Sequence, residues 1–140
     1  MPKCFLALLL APIALLADPG QEVLDLFTSM ATALSAGDAT EFLRPFDRAM
    51  PRYRDLSVNV TALVEQADIL SSIEILRNSG DAQQRTVELD WLLQVSSKQQ
   101  GGPLERRHET VRCRLEKQKR GWRIVSLEPV DFFAPPRIRR

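Results

Sequence analysis

An α+β fold, with helices packed on one face of an antiparallel sheet, follows from three features of the sequence. Up to Gln66 the apolar residues recur every three or four positions, the period of an amphipathic helix; after Asp68 they recur every second position, the period of a half-buried strand. Helices come first and strands follow, without the strand–helix–strand alternation that builds a parallel sheet. The alternation is clean on one strand face only, as expected of a sheet that packs helices on one side and meets water or a partner on the other.

Each element can be justified in turn. From Gln21, the residues Val23, Leu24, Phe27, Met30, Ala31 and Leu34 form one apolar stripe, and Gly37 ends this first helix. Asp38 is placed to cap a second helix, with Glu41 three residues on as the reciprocal partner of a capping box. That helix buries Phe42, Leu43, Phe46 and Met50, with a kink or early stop at Pro45 and a clear break at Pro51. A third helix, Tyr53 to Gln66, buries Tyr53, Leu56, Val60, Leu63 and Val64; the Asn59-Val60-Thr61 sequon on it is read as chance. Ile69, Ser71, Ile73 and Ile75 share the inner face of the first strand, and Ser79-Gly80-Asp81 turns the chain. The second strand sends Val87, Leu89, Trp91, Leu93 and Val95 inward, with Thr86, Glu88, Asp90, Gln94 and Ser96 outward and Leu92 as the one apolar residue among them. After the loop Gly101-Gly102-Pro103, the third strand places Val111, Cys113 and Leu115 inward and Arg106, His108, Thr110, Arg112 and Arg114 outward. Lys119-Arg120-Gly121 leads into a fourth strand, Trp122 to Leu127, and "EPVDFFAPP" closes the domain.

The start and the composition bound the class. Met1-Pro2-Lys3 followed by "CFLALLLAPIALLA", 4–17, is a short positive start and an uncharged apolar run of fourteen residues, the pattern of a secretory signal peptide. It is shorter than the about 20 residues of a membrane span. Cleavage is expected after Ala17, although Leu15 sits where a small residue is preferred, and Cys4 precedes the run instead of following it, as lipidation would require. The expected organisation is thus a signal peptide at 1–17, one domain at 20–133 and a basic tail at 134–140, in a secreted or periplasmic protein without stable membrane insertion. Of 19 basic and 18 acidic residues in the chain, cleavage removes Lys3 and no acid, leaving 18 of each. Balanced charge gives no general attraction to nucleic acid. Cys113 becomes the only cysteine, which excludes an internal disulfide.

Two stretches carry a resemblance to a known family. "ALSAGDATEFL", 33–43, resembles the junction of the first two helices in the nuclear transport factor 2-like superfamily, including its SnoaL-like branch. "VELDWLLQV", 87–95, followed by "ETVRCRLEKQKRGWRIVSLEPVDFF", 109–133, resembles that superfamily's long central strands, with Trp122 opening the last strand after a Gly-containing turn. The resemblance spans 20–133 and implies a cone, with the helices in the concave face of a strongly curved sheet that often encloses a pocket. It also implies that the outer face of the sheet can serve as a dimer interface. Isomerases, dehydratases and proteins of other roles share this fold, so function must come from the site.

Four candidate sites emerge. His108 and Cys113 are five apart on one strand, so their side chains point to opposite faces and cannot form a nucleophilic dyad. One His and one Cys are also too few for a zinc site, and neither metal nor cofactor is expected. The superfamily's isomerases use a carboxylate inside the cone beside a Tyr or protonated acid. Here Glu88 and Asp90 lie on the outer face, expected to pair with Arg112 and Arg114, which leaves Asp47, Tyr53 and Asp131 as candidates at the cone mouth. The inward aromatics read first as core, and a small apolar ligand, where it binds, is expected against Tyr53, Trp91, Cys113, Trp122 and Phe132. Residues 105–123 carry eight Lys or Arg against three Glu, read as a solvated outer sheet face or a homodimer contact that includes Leu92. The main expectation is a non-catalytic domain, with a cone-mouth enzyme and an interaction module as alternatives.

Overall fold

The computed structural model describes residues 18–136; the expected signal peptide at 1–17 and the last residues of the basic tail lie outside the described residues. Helix α1, Pro19–Ser35, starts two residues before Gln21 because Asp18 caps it, its carboxylate accepting from the Gly20 N–H at 3.0 Å, with proline at the first helical position. Gly37, at φ 72°, takes the left-handed conformation that ends the helix. Helix α2, Ala39–Leu43, is capped by Asp38, whose carboxylate accepts from the Glu41 N–H at 3.0 Å. The reciprocal half of the expected capping box does not form. The Asp38 N–H is already donated to the Ala33 carbonyl at 2.9 Å, and Glu41 instead pairs with Arg44 at 2.6 Å.

Pro45, which has no N–H to continue the helix, stops α2 early. The chain then runs beside the sheet edge, with the Ile124 N–H donating to Pro45 and the Asp47 N–H to the Ile124 carbonyl, both at 2.9 Å. Helix α3, Tyr53–Gln66, has the expected bounds. Its N-cap Arg52 sits at φ 62°, a left-handed conformation uncommon for a side-chain-bearing residue. Its guanidinium reaches Asp55 and Asp131, both at 3.0 Å, which ties the start of α3 to the C-terminal segment.

The four strands β1 (Ala67–Gly80), β2 (Gln84–Ser97), β3 (Leu104–Gln118) and β4 (Gly121–Glu128) form one antiparallel sheet in sequence order. Gly80 is required at the β1–β2 hairpin, since a Cβ there would collide with the Gln84 carbonyl. Bulges interrupt β1 between Ile75 and Arg77, and the β3–β4 ladder between Arg114 and Leu115, where Val125 has no partner. A 3-10 turn, Val130–Phe133, closes the open side. The core collects the α1 stripe (Val23, Phe27, Met30, Leu34), the α3 stripe (Leu56, Val60, Leu63) and the inward faces of β2 and β3. Every inward residue expected on β2 and β3 is buried, as are Phe42, Phe46 and Met50, whereas Leu43 and Tyr53 are only half-buried.

Candidate functional site

The five aromatic and thiol positions expected to line a pocket separate into two groups. Trp91, Cys113 and Phe132 belong to the packed interior. Phe133 fills its centre, with ring centroids 5.3 Å from Phe42, 5.2 Å from Trp91 and 5.1 Å from Phe132, the last two edge-on as aromatic quadrupoles favour. The Trp91 indole N–H donates to the Ser71 hydroxyl at 2.8 Å, so its one polar atom is satisfied. Cys113 is fully enclosed on the inner face, and burial pushes its thiol far above the ordinary value, which suppresses the reactive thiolate. Trp122, buried at the margin of the same core, and Tyr53, half-buried against it, border two adjoining surface depressions beside the β3–β4 hairpin.

Among the described residues no Asp, Glu, Lys, Arg, His, Ser, Thr, Asn or Gln side chain is buried. The candidate acids are accordingly peripheral. Asp131 is exposed and held by Arg52. Asp47 accepts from the Ala49 N–H at 2.8 Å and from the Gln118 amide at 3.3 Å; these bonds, the backbone one first, hold its carboxyl below the usual aspartate range. A general base near neutral pH needs the opposite shift. The described residues contain no cluster of three metal-ligating side chains and no helix long and apolar enough to cross a membrane.

Glu22, on α1, is the sequence-distant partner of Trp122. Its carboxylate accepts from the indole N–H at 3.2 Å and pairs with Lys117 at 3.3 Å, and these two bonds, the indole first, lower its pKa. Lys117 also lies 5.3 Å from the Trp122 ring centroid, within cation–π range. No local motif announces this cluster, since its members lie on α1 and on the far hairpin.

His108 and Cys113 are on opposite faces, as parity requires, but His108 has a partner that parity does not name. Its Nε2 is 2.6 Å from Asp90, although the residue directly opposite Asp90 is Thr110. The expected pairing of Glu88 and Asp90 with Arg112 and Arg114 is therefore half right. Glu88 faces Arg112 at 3.2 Å, but Arg114 lies opposite Thr86, two residues along β2 from Glu88 and four from Asp90.

The basic stretch 105–123 is likewise not one face. Arg106, Arg112 and Arg114 are outward. Arg107 shares the parity of Val111 and is largely covered; its guanidinium donates to the Phe132 and Ala134 carbonyls and pairs with Glu105 at 3.1 Å. Arg120 and Arg123 belong to the hairpin depressions, and the Arg123 guanidinium donates to the Arg44 carbonyl. Strand parity alone would have singled out Arg107; Arg120 and Arg123 needed the position of α2.

No family model matches the chain, and no curated protein resembles it in sequence. Solved structures do match. A ketosteroid isomerase-like protein from Erwinia carotovora atroseptica superimposes with a TM-score of 0.65 at 14% identity, covering 80% of this chain and 95% of its own. A conserved protein from Planctomyces limnophilus gives 0.67 at 9% identity, covering 75% and 89%. An NTF2-like protein with a cystatin-like fold from Novosphingobium aromaticivorans gives 0.60 at 13% identity, covering 78% and 79%. Helices, four-stranded sheet and closing segment together thus give this chain the nuclear transport factor 2-like, cystatin-like α+β fold.

Proposed function

We propose that this chain is an exported, non-catalytic nuclear transport factor 2-like domain that acts as an interaction module, associating with a second copy of itself through the outer face of the sheet. The observation that carries the reading is the contrast between an interior filled by Phe42, Trp91 and Phe133, without a buried acid, base, hydroxyl or amide side chain among the described residues, and an outer face with unburied leucines. Acid–base chemistry inside the cone requires a polar group there, and a ligand there requires space beside Trp91.

Leu70, Leu92 and Leu104 lie on the outer face of β1, β2 and β3, at the end of the sheet nearest the β2–β3 loop, and are 63%, 42% and 58% exposed. Charge on this face is divided by strand. β1 and β2 carry Asp68, Glu74, Glu88 and Asp90 against Arg77, whereas β3 between Arg106 and Arg114 carries three arginines, His108 and no acid. A two-fold axis along the strands would lay β1–β2 of one copy over β3–β4 of the other. The acids of β1 and β2 would then oppose the arginines of β3, and the leucines, which step diagonally across the sheet at the levels of Leu92, Gln94 and Ser96, would be covered by the second sheet. Such self-complementarity is what an isologous interface needs.

Sedimentation of the purified chain tests this directly. A dimer that Leu92→Arg converts to a folded monomer is expected; a chain that stays monomeric at high concentration overturns the reading. The uncharged run at 4–17 supports export, and mass spectrometry of the N-terminus of protein from the secreted or periplasmic fraction should find Asp18 first.

A further inference from the structure

The depression at the β3–β4 hairpin is walled by four arginines, Arg44, Arg48, Arg120 and Arg123, and holds Tyr53 and a single acid, Asp47. Its arginines are brought together by backbone pairing. The bonds between Pro45, Asp47 and Ile124 hold the segment after α2 against β4, so that Arg44 and Arg48 of one face Arg120 and Arg123 of the other.

The charges do not cancel. Asp47 is engaged by the Ala49 N–H and the Gln118 amide, and Glu41 by Arg44. Glu22, in the adjoining depression, is engaged by Lys117 and Trp122. Arg48 and Arg120 make no hydrogen bond or ion pair with another described residue, and the Tyr53 hydroxyl makes no hydrogen bond to one. Two guanidinium forks and a phenol O–H thus offer donors around one space, which is the donor set a planar oxyanion takes in bidentate fashion. Leu43 and the Tyr53 ring, both half-buried, supply apolar surface in the same depression, against which the apolar body of an organic anion can lie.

We infer that this depression is a binding site for a small organic carboxylate, with Arg48 and Arg120 holding the carboxylate and Tyr53 donating to it, the apolar body lying on Leu43. The site lies beside the hairpin and not on the outer face of the sheet, so it stands or falls separately from self-association.

Titration calorimetry of the purified chain with benzoate, benzyl alcohol and inorganic phosphate tests it, with amide chemical shifts to locate the contact. Benzoate is expected to bind saturably and to shift Tyr53 and its neighbours. The double variant Arg48→Ala/Arg120→Ala, both exposed positions, should weaken it about tenfold or more, the scale of losing charge-assisted hydrogen bonds, while Arg112→Ala leaves it unchanged. No saturable benzoate binding, or binding that the double variant retains, overturns the inference. So does benzyl alcohol or phosphate binding as tightly as benzoate, since the first would remove the role of charge and the second that of the apolar floor.

Discussion

The two faces of β2 and β3 are built from the same backbone, ladder and length of chain, yet they differ in what a side chain is worth. On the inner face Val87, Leu89, Trp91, Leu93 and Val95 are wholly buried, and neighbours close around each of them. On the outer face the organised contacts, Glu88 with Arg112 and Asp90 with His108, involve side chains in water, with Arg112 70% and His108 62% exposed. Apolar burial stabilises by an amount proportional to area removed from water, whereas an exposed ion pair exchanges one hydrated state for another. The inner face therefore holds the fold and the outer face is free to serve contact.

The largest test of that contrast is Trp91→Ala. It empties space at the meeting point of Phe42 and Phe133 and is expected to cost about 3–5 kcal/mol in denaturant unfolding. A loss below about 1 kcal/mol would show that the interior is not closely packed there.

Arg107 breaks the rule that charge belongs outside, and so sharpens it. It sits on the inner parity and is covered because two carbonyls of the C-terminal segment and Glu105 surround it. Arg107→Ala should cost about 1–3 kcal/mol by leaving those carbonyls without their donor. Hydrogen exchange should quicken in Val130–Phe133 before the rest of the domain.

On the outer face the same kinds of change should barely register in stability. Leu92→Arg is expected to shift unfolding by within about 0.5 kcal/mol per protomer under conditions where the chain is monomeric. A larger loss would mean that the outer leucines hold the fold. A double-mutant cycle on Glu88 and Arg112 should give a coupling of about 0.2–1 kcal/mol, falling with added salt.

The smallest effect concerns acid. Glu22 has a lowered folded-state pKa, chiefly through the Trp122 indole and then Lys117. Its contribution is therefore present above the ordinary glutamate value and lost as the pH falls through the lowered one. Glu22→Gln should flatten that part of the acid limb in a stability–pH profile. An unchanged limb would show that the exposed bonds between α1 and the hairpin are not held in solution.

Much of this was legible in the chain because it depends on period and parity. A 3.6-residue stripe can bury only one side of a helix and a two-residue alternation only one side of a strand. The helices, the inward set on β2 and β3 and the separation of His108 from Cys113 follow from spacing alone. Candidate sites were harder. Tyr53 and Trp122 at adjoining depressions, Glu22 beside Trp122, and Arg44 and Arg48 across from Arg120 and Arg123 are pairs whose distance depends on how α1, α2 and the last hairpin pack.

The sequence by itself determined the order of elements, their periods, the apolar face of each and the fold class these imply, because each is set by steric preferences acting over a few residues. Only the tertiary structure decided that Phe133 fills the centre between Phe42 and Trp91, that His108 meets Asp90 diagonally, and that four arginines share one depression. Those depend on register and on the docking of segments tens of residues apart, which the packing of the whole core fixes and no local pattern encodes.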